Sequence, residues 1–270
     1  MRRFLFASLG LFAAAAAFAA AEPRPATPEE VALFKEAMKN SSQDTEHWAY
    51  TETTTVQVNK DQPEVDTVVR FDPSKPYADQ FTPLQVKGKP PSEKELKKYR
   101  KKGEERGRQL ARKAEKRTNA ENKEPQITIN DTKAKLDLDH PVVVAEDPAR
   151  ITFQVPLVAA KGGLPVDKFE VRAEVDREVR QIKHAYFNIR GAFRMKLIAK
   201  IKSGEASMDF TVVDPEFAPV ITKMRGEFAA SFVMIPVKAT FTNTRTEWQR
   251  VKAFDEGFNV KLAPLQFPGF

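Results

Sequence analysis

The chain contains no cysteine, which excludes disulfides, thiolate nucleophiles, cysteine-held metals and a lipid-modified cysteine anchor together. Histidine is almost as scarce. The three copies, His47, His140 and His184, stand far apart, without His-x-x-x-His or Glu-x-x-His spacing, so no metal site is expected. Glycine is thin at 11 residues, with a single adjacent pair at 162–163. Neither a glycine-rich phosphate loop nor a G-x-S-x-G or S-x-x-K nucleophile motif is present. Beyond residue 21 no stretch is apolar enough to cross a bilayer. These absences remove most familiar catalytic and cofactor chemistry, and the expectation is a protein that is not an enzyme and carries no cofactor.

What is present begins with compartment. Arg2 and Arg3 precede an apolar run at 4–20 that ends in Ala19-Ala20-Ala21 before Glu22-Pro23. Basic start, apolar middle and small-residue end are the parts of a secretory signal peptide, and 17 mostly alanine residues are short for a span that needs about 20. Residues 1–21 are therefore expected to be cleaved and 22–270 to work in the periplasm, with secretion as the alternative. Charge is concentrated in one place. Ser92 to Arg117 holds twelve Lys/Arg and five Glu, a net +7 that equals the formal charge of the whole chain.

Thr27-Pro28-Glu29-Glu30 combines an N-cap, a proline at the first helical position and a capping-box glutamate, and Val31, Phe34 and Met38 follow at helical spacing. From Trp48 the period becomes two: 48–58 and 65–71 read as strands. Prolines 73, 76, 83, 90 and 91 exclude a central strand from the next segment. Ser92-Glu93-Lys94-Glu95 opens a charged helix to about Arg117, in an insertion spanning about 92–124. The remainder reads as an antiparallel meander. Within it, 193–202 forms one strand, Ser203-Gly204-Glu205 turns into the next, and 228–241 forms a strand apolar on both faces, which needs cover on both.

No constellation points to catalysis. Asp137 with Asp139, and Asp209 with Asp214, are the nearest carboxylate pairs, and they keep a hydrolase acting on an envelope polymer as the least favoured reading. Nucleic acid is not an expected partner, because the basic segment lacks interleaved aromatics. An anionic membrane surface is, through Lys97, Lys98, Lys101, Lys102, Arg108 and Arg112. Apolar ligand contacts are expected from Phe193, Met195, Leu197, Phe210, Val212, Phe228, Phe232 and Met234.

Taken in order, Phe71-Asp72-Pro73, Pro83-Leu84, Gly88-Lys89-Pro90-Pro91-Ser92 with Glu95-Leu96, and the closing Arg245 to Val251 resemble the periplasmic lipoprotein-carrier (LolA/LolB-like) superfamily. The resemblance implies an α+β, mostly β fold. Its curved antiparallel half-barrel would carry an N-terminal helix and the inserted basic helix on or beside the concave face, all in a single domain over 22–270. It also implies a carrier of lipid or lipoprotein acyl chains. The alternative is an envelope interaction protein that docks on anionic surfaces through 92–117.

Overall fold

The computed structural model describes residues 22–41, 44, 46–59, 64–117, 126–129, 132–159, 165–195, 199–232 and 235–257. The signal-like segment and Leu197 and Met234 lie outside them. The chain runs β1 (Arg24–Pro25), α1 (Pro28–Asn40), β2 (Trp48–Val58), β3 (Val65–Phe71), β4 (Phe81–Val86) and α2 (Glu93–Arg117). Then follow β5 (Gln126–Ile129), β6 (Thr132–Leu136), β7 (Val142–Glu146), β8 (Arg150–Val155) and β9 (Leu157–Ala159). The last part is β10 (Phe169–Asp176), β11 (Gln181–Ile189), β12 (Phe193–Met195), β13 (Ala199–Thr211), β14 (Val220–Phe232) and β15 (Ile235–Arg250).

Twelve strands form one open antiparallel sheet in the order β1-β7-β8-β10-β11-β13-β14-β15-β2-β3-β4, with β12 attached to β13. β5, β6 and β9 make a small separate sheet. The large sheet is not closed into a barrel: β1 and β4 are its edges. β4 carries Pro83, so proline's missing donor falls where no further strand needs it. The α+β, mostly β architecture expected from the residues is the one observed.

Register makes the sheet two-sided. Val155, Val171, Phe187, Ala206, Gly226, Phe241, Val56 and Val65 stand directly opposite one another in a single row across eight strands. One residue away, on the other side, the row reads Gln154, Arg172, Tyr186, Ser207, Arg225, Thr242, Thr55 and Asp66. Side chains alternate along a strand, so one side is apolar and the other polar across the breadth of the sheet.

Both helices rest on the apolar side. Thr27 and Glu30 close the capping box at the start of α1, and Arg24 bonds Glu30 at 2.7 Å and Glu146 at 2.7 Å. The Arg24 bond, more than burial opposes it, lowers the Glu30 carboxyl to about 2. Phe34 is fully buried against Phe153 (5.0 Å between rings), among Val143, Ile151, Val155, Ala173, Val175 and Ile182. α2 lies at the other end, over β4 and the 3-10 turn Tyr77–Asp79.

Three sequence expectations change. The apolar segment 228–241 is not one strand with two apolar faces: the chain reverses between β14 and β15, pairing Phe228 with Ala239 and Phe232 with Ile235. Its apolar residues therefore share one side, and alternation was misread because parity inverts across a tight hairpin. The segment 193–202 is likewise not one strand: β12 pairs antiparallel with β13, with Phe193 opposite Ile201. Ser203-Gly204-Glu205 is not a turn but the middle of β13. Gly204 is there because a Cβ would meet the ring of Phe228 at 2.6 Å, the close approach that strand glycines allow.

Candidate functional site

α1 packs chiefly on β11 and α2 on β4. Between them lie β13, β14, β15, β2 and β3, a gap roughly 20 Å wide at ordinary strand spacing. Its helix-side surface carries Met208, Met224, Phe228, Ala230, Val237, Ala239, Phe241 and Val56, all half-buried. Gly204 and Gly226 leave room for two rings to lie down on the sheet: Phe228 rests over Gly204 and Phe241 over Gly226, the rings parallel and 6.1 Å apart. The band reaches solvent at one end, where Ile235 is 67% exposed and Val58 is also exposed.

Toward α2 the band meets a chain of rings. Phe81, Phe71, Tyr50, Trp248, Trp48 and Phe217 follow at centroid spacings of 5.0, 5.2, 4.7, 6.0 and 5.7 Å. A bulge between Thr246 and Gln249, with Glu247 at φ 53°, sets Trp248 against Tyr50. α2 covers the Phe81–Phe71 end of this chain with cations. The Arg106 guanidinium lies 5.0 Å from the centre of Phe71 and bonds Gln80 at 2.6 Å and Glu46 at 2.5 Å. The Lys102 ammonium lies 4.3 Å from the centre of Phe81. Withdrawal from water holds Lys102 below the ordinary lysine pKa, opposed by Glu52 and helped by Lys98 and Arg245. Burial pushes Tyr50 up.

Tyr77 locks the helix in place. Its carbonyl occupies the space a Cβ would need at Gly103, its ring the space at Gly107, and its hydroxyl donates to Asp255. Burial, then that bond, raises the phenol to about 12. Gly103 and Gly107 form the notch that receives Tyr77.

The expected apolar contacts are only partly gathered. Phe228 is in the band, and Phe232 and Met195 are placed by backbone register alone, on β14 and β12. Phe210 packs against the cluster under α1, Phe193 meets Phe169 edge to face at 5.2 Å, and Val212 is exposed beyond the end of β13. Phe241, Met208, Met224 and Val56 were missed, although strict alternation along each of β13, β14, β15 and β2 would have put them on the same side as Phe228. On α2, Lys97, Lys98, Lys101, Arg108 and Arg112 are exposed. Ser92 caps the helix, its amide and hydroxyl donating to Glu95 at 2.8 and 2.7 Å.

Among the described residues no group of three or more His, Asp or Glu side chains is placed to hold a metal. The four carboxylates singled out in the sequence each have another partner: Asp137 with His140 at 2.9 Å, Asp139 with Lys35, and Asp209 with His184 at 2.9 Å, while Asp214 accepts from the Glu216 amide at 3.0 Å. No helix among the described residues is long and apolar enough to cross a membrane.

No family model matches the sequence, and no curated protein matches it. Among solved structures, a LolA superfamily protein from Nitrosomonas europaea is similar over 84% of this chain and 95% of that chain, at 7% identity and a TM-score of 0.36.

Proposed function

We propose that the protein is an exported, non-enzymatic carrier that holds an acyl chain of a lipid or lipoprotein against the apolar band between α1 and α2. The supporting observation is the band itself: methionine, valine, alanine and stacked phenylalanine side chains on four strands, flattened by Gly204 and Gly226 and open at Ile235. Each methylene laid on such a surface and removed from water is worth about 0.8 kcal/mol, so a long chain binds even where only part of it is covered. The signal-like run at 4–20 supports work outside the cytoplasm.

Mass spectrometry of gently purified protein should find co-bound lipid, and a fluorescent fatty acid should bind and be displaced by palmitate. Phe241→Asp puts a charge in the band and should weaken that binding about tenfold or more. Purified protein free of lipid that also fails to bind the fluorescent fatty acid would rule the carrier out.

A second reading rests on α2. Among the described residues none of Lys97, Lys98, Lys101, Lys102, Arg108 and Arg112 forms an ion pair. Such a row suits an anionic membrane surface at about 1 kcal/mol per basic residue, less in salt. Replacing Lys97, Lys98 and Lys101 by Glu should abolish binding to vesicles containing phosphatidylglycerol at low salt; unchanged binding removes this reading.

A further inference from the structure

A depression of about 930 Å³ lies on the side of the sheet away from both helices, and the carrier reading makes no use of it. It crosses β7, β8, β10, β11, β13, β14 and β15 and is lined chiefly by the polar rows, with Phe187, Ala206, Gly226 and Phe241 at its floor. Its volume lies in the range of small-ligand sites. We infer that this depression is a binding site for an oligosaccharide without acidic groups, with Tyr186 as the surface on which a sugar ring stacks.

Four observations lead there. Tyr186 is 41% exposed, although it sits in the interior of the sheet between Arg172 and Ser207, its direct cross-strand partners. An aromatic ring offered to solvent within a polar trough has an apolar face to give and a hydroxyl beside it, which matches a pyranose, with C–H bonds on one face and hydroxyls at its rim.

The charges nearest the wall are already committed. Glu170 is 7% exposed and bonds Arg172 at 2.6 Å and Arg190 at 2.7 Å, and Glu174 bonds Arg150 at 3.1 Å. These pairs hold the guanidiniums in set positions, so their remaining N–H groups are oriented in advance for a ligand.

Glu205 and Glu227 are different. They stand directly opposite each other on β13 and β14, and among the described residues neither has a hydrogen bond or an ion pair. Like charges opposite across a strand pair destabilise a sheet. Asn188 and Thr240 continue the same row on either side. Two acceptor pairs flanked by an amide and a hydroxyl suit neighbouring hydroxyls on a sugar.

The same residues exclude other ligands. Unpaired Glu205 and Glu227 repel polyanions, and no three-ligand metal group exists among the described residues. A basic peptide would satisfy the two glutamates but would leave the Tyr186 face and the donor side chains Arg225 and Asn188 without a role.

The experiment is titration of the full-length mature protein with chitotriose and cellotriose, followed by calorimetry and by amide chemical shifts. Binding of at least one is expected, with shifts on β11, β13 and β14. Tyr186→Ala should weaken it about tenfold, and Tyr186→Trp should retain it, because the ring and not the phenol makes the stacking surface. Glu227→Gln keeps the shape and should weaken binding about threefold through one lost charged acceptor. Phe228→Asp, which damages the acyl band at a residue outside the depression's lining, should leave saccharide binding unchanged, so failure of the carrier reading and failure of this one are separately visible. No binding of either trisaccharide, equal binding by Tyr186→Ala, or displacement of the sugar by a short oligolysine would each overturn the inference.

Discussion

At one end of the sheet, α1 buries Phe34 and Ala37 among valines, isoleucines and Phe153, with ordinary close packing. At the other, α2 is nearly twice as long, yet it sets a guanidinium on Phe71, an ammonium on Phe81 and a pair of glycines around Tyr77. Leu96, one of the few large apolar residues of α2, is exposed. The same face of the same sheet is thus capped by a hydrophobic plug at one end and by an electrostatic and steric latch at the other. A plug is lost only with the fold, because the cavity it leaves cannot collapse. A latch made of cation–ring contacts worth about 0.5–2 kcal/mol each can open while the sheet persists.

Substitutions on each side can break or sharpen this contrast. Phe34→Ala should have the largest effect, a loss of about 3–5 kcal/mol in urea-induced unfolding of the whole domain. Next is Gly103→Ala, whose Cβ meets the backbone of Tyr77 and not a yielding side chain. It should cost about 1–3 kcal/mol as an overpacking change and should accelerate amide exchange throughout α2 while β13 to β15 remain protected. If exchange rises equally in the sheet, α2 is not a separable unit and the contrast fails. Arg106→Met keeps the apolar stem but removes the contacts to Phe71, Glu46 and Gln80. It should cost about 1 kcal/mol and raise exchange in the same helix.

The smallest effect concerns His47, whose two ring nitrogens bond Asp44 and Glu256, each at 2.6 Å. Those bonds raise its pKa above 6.5 against the pull of burial, Asp44 acting first and Glu256 second. For Asp44, burial pushes upward, but the bonds to His47 and Arg250 outweigh it and leave its pKa lowered. A raised histidine pKa means that the folded state holds the proton more tightly, so this contribution is complete below about pH 6.5 and is lost as pH rises through the higher folded value. The Tm advantage of the native protein over His47→Gln should be about 2 °C or less at pH 6 and should vanish by pH 9. An advantage that grows with pH would contradict the assignment.

Much of the frame was legible. The capping boxes at Thr27 and Ser92 name the starts of both helices because side-chain and backbone partners are local in sequence. Strands 48–58 and 65–71 follow from alternation alone. The antiparallel pairing of β14 with β15 was not legible, because an apolar run carries no turn residue to announce reversal and each side then looks like the other's second face. Tyr77 in the Gly103–Gly107 notch and Glu205 opposite Glu227 were hidden for a different reason. Both depend on pairing across the fold, between segments that local pattern cannot bring together.

Trp48 and Trp248 are the protein's two tryptophans, 6.0 Å apart and edge to face, and both belong to the ring chain whose Phe71 and Phe81 end α2 covers. Intrinsic fluorescence therefore watches the latched end of the sheet and is blind to the cluster around Phe34. An emission change on heating or on ligand addition, compared with circular dichroism from the entire sheet, gives the molecule a built-in optical gauge of whether its two ends let go together.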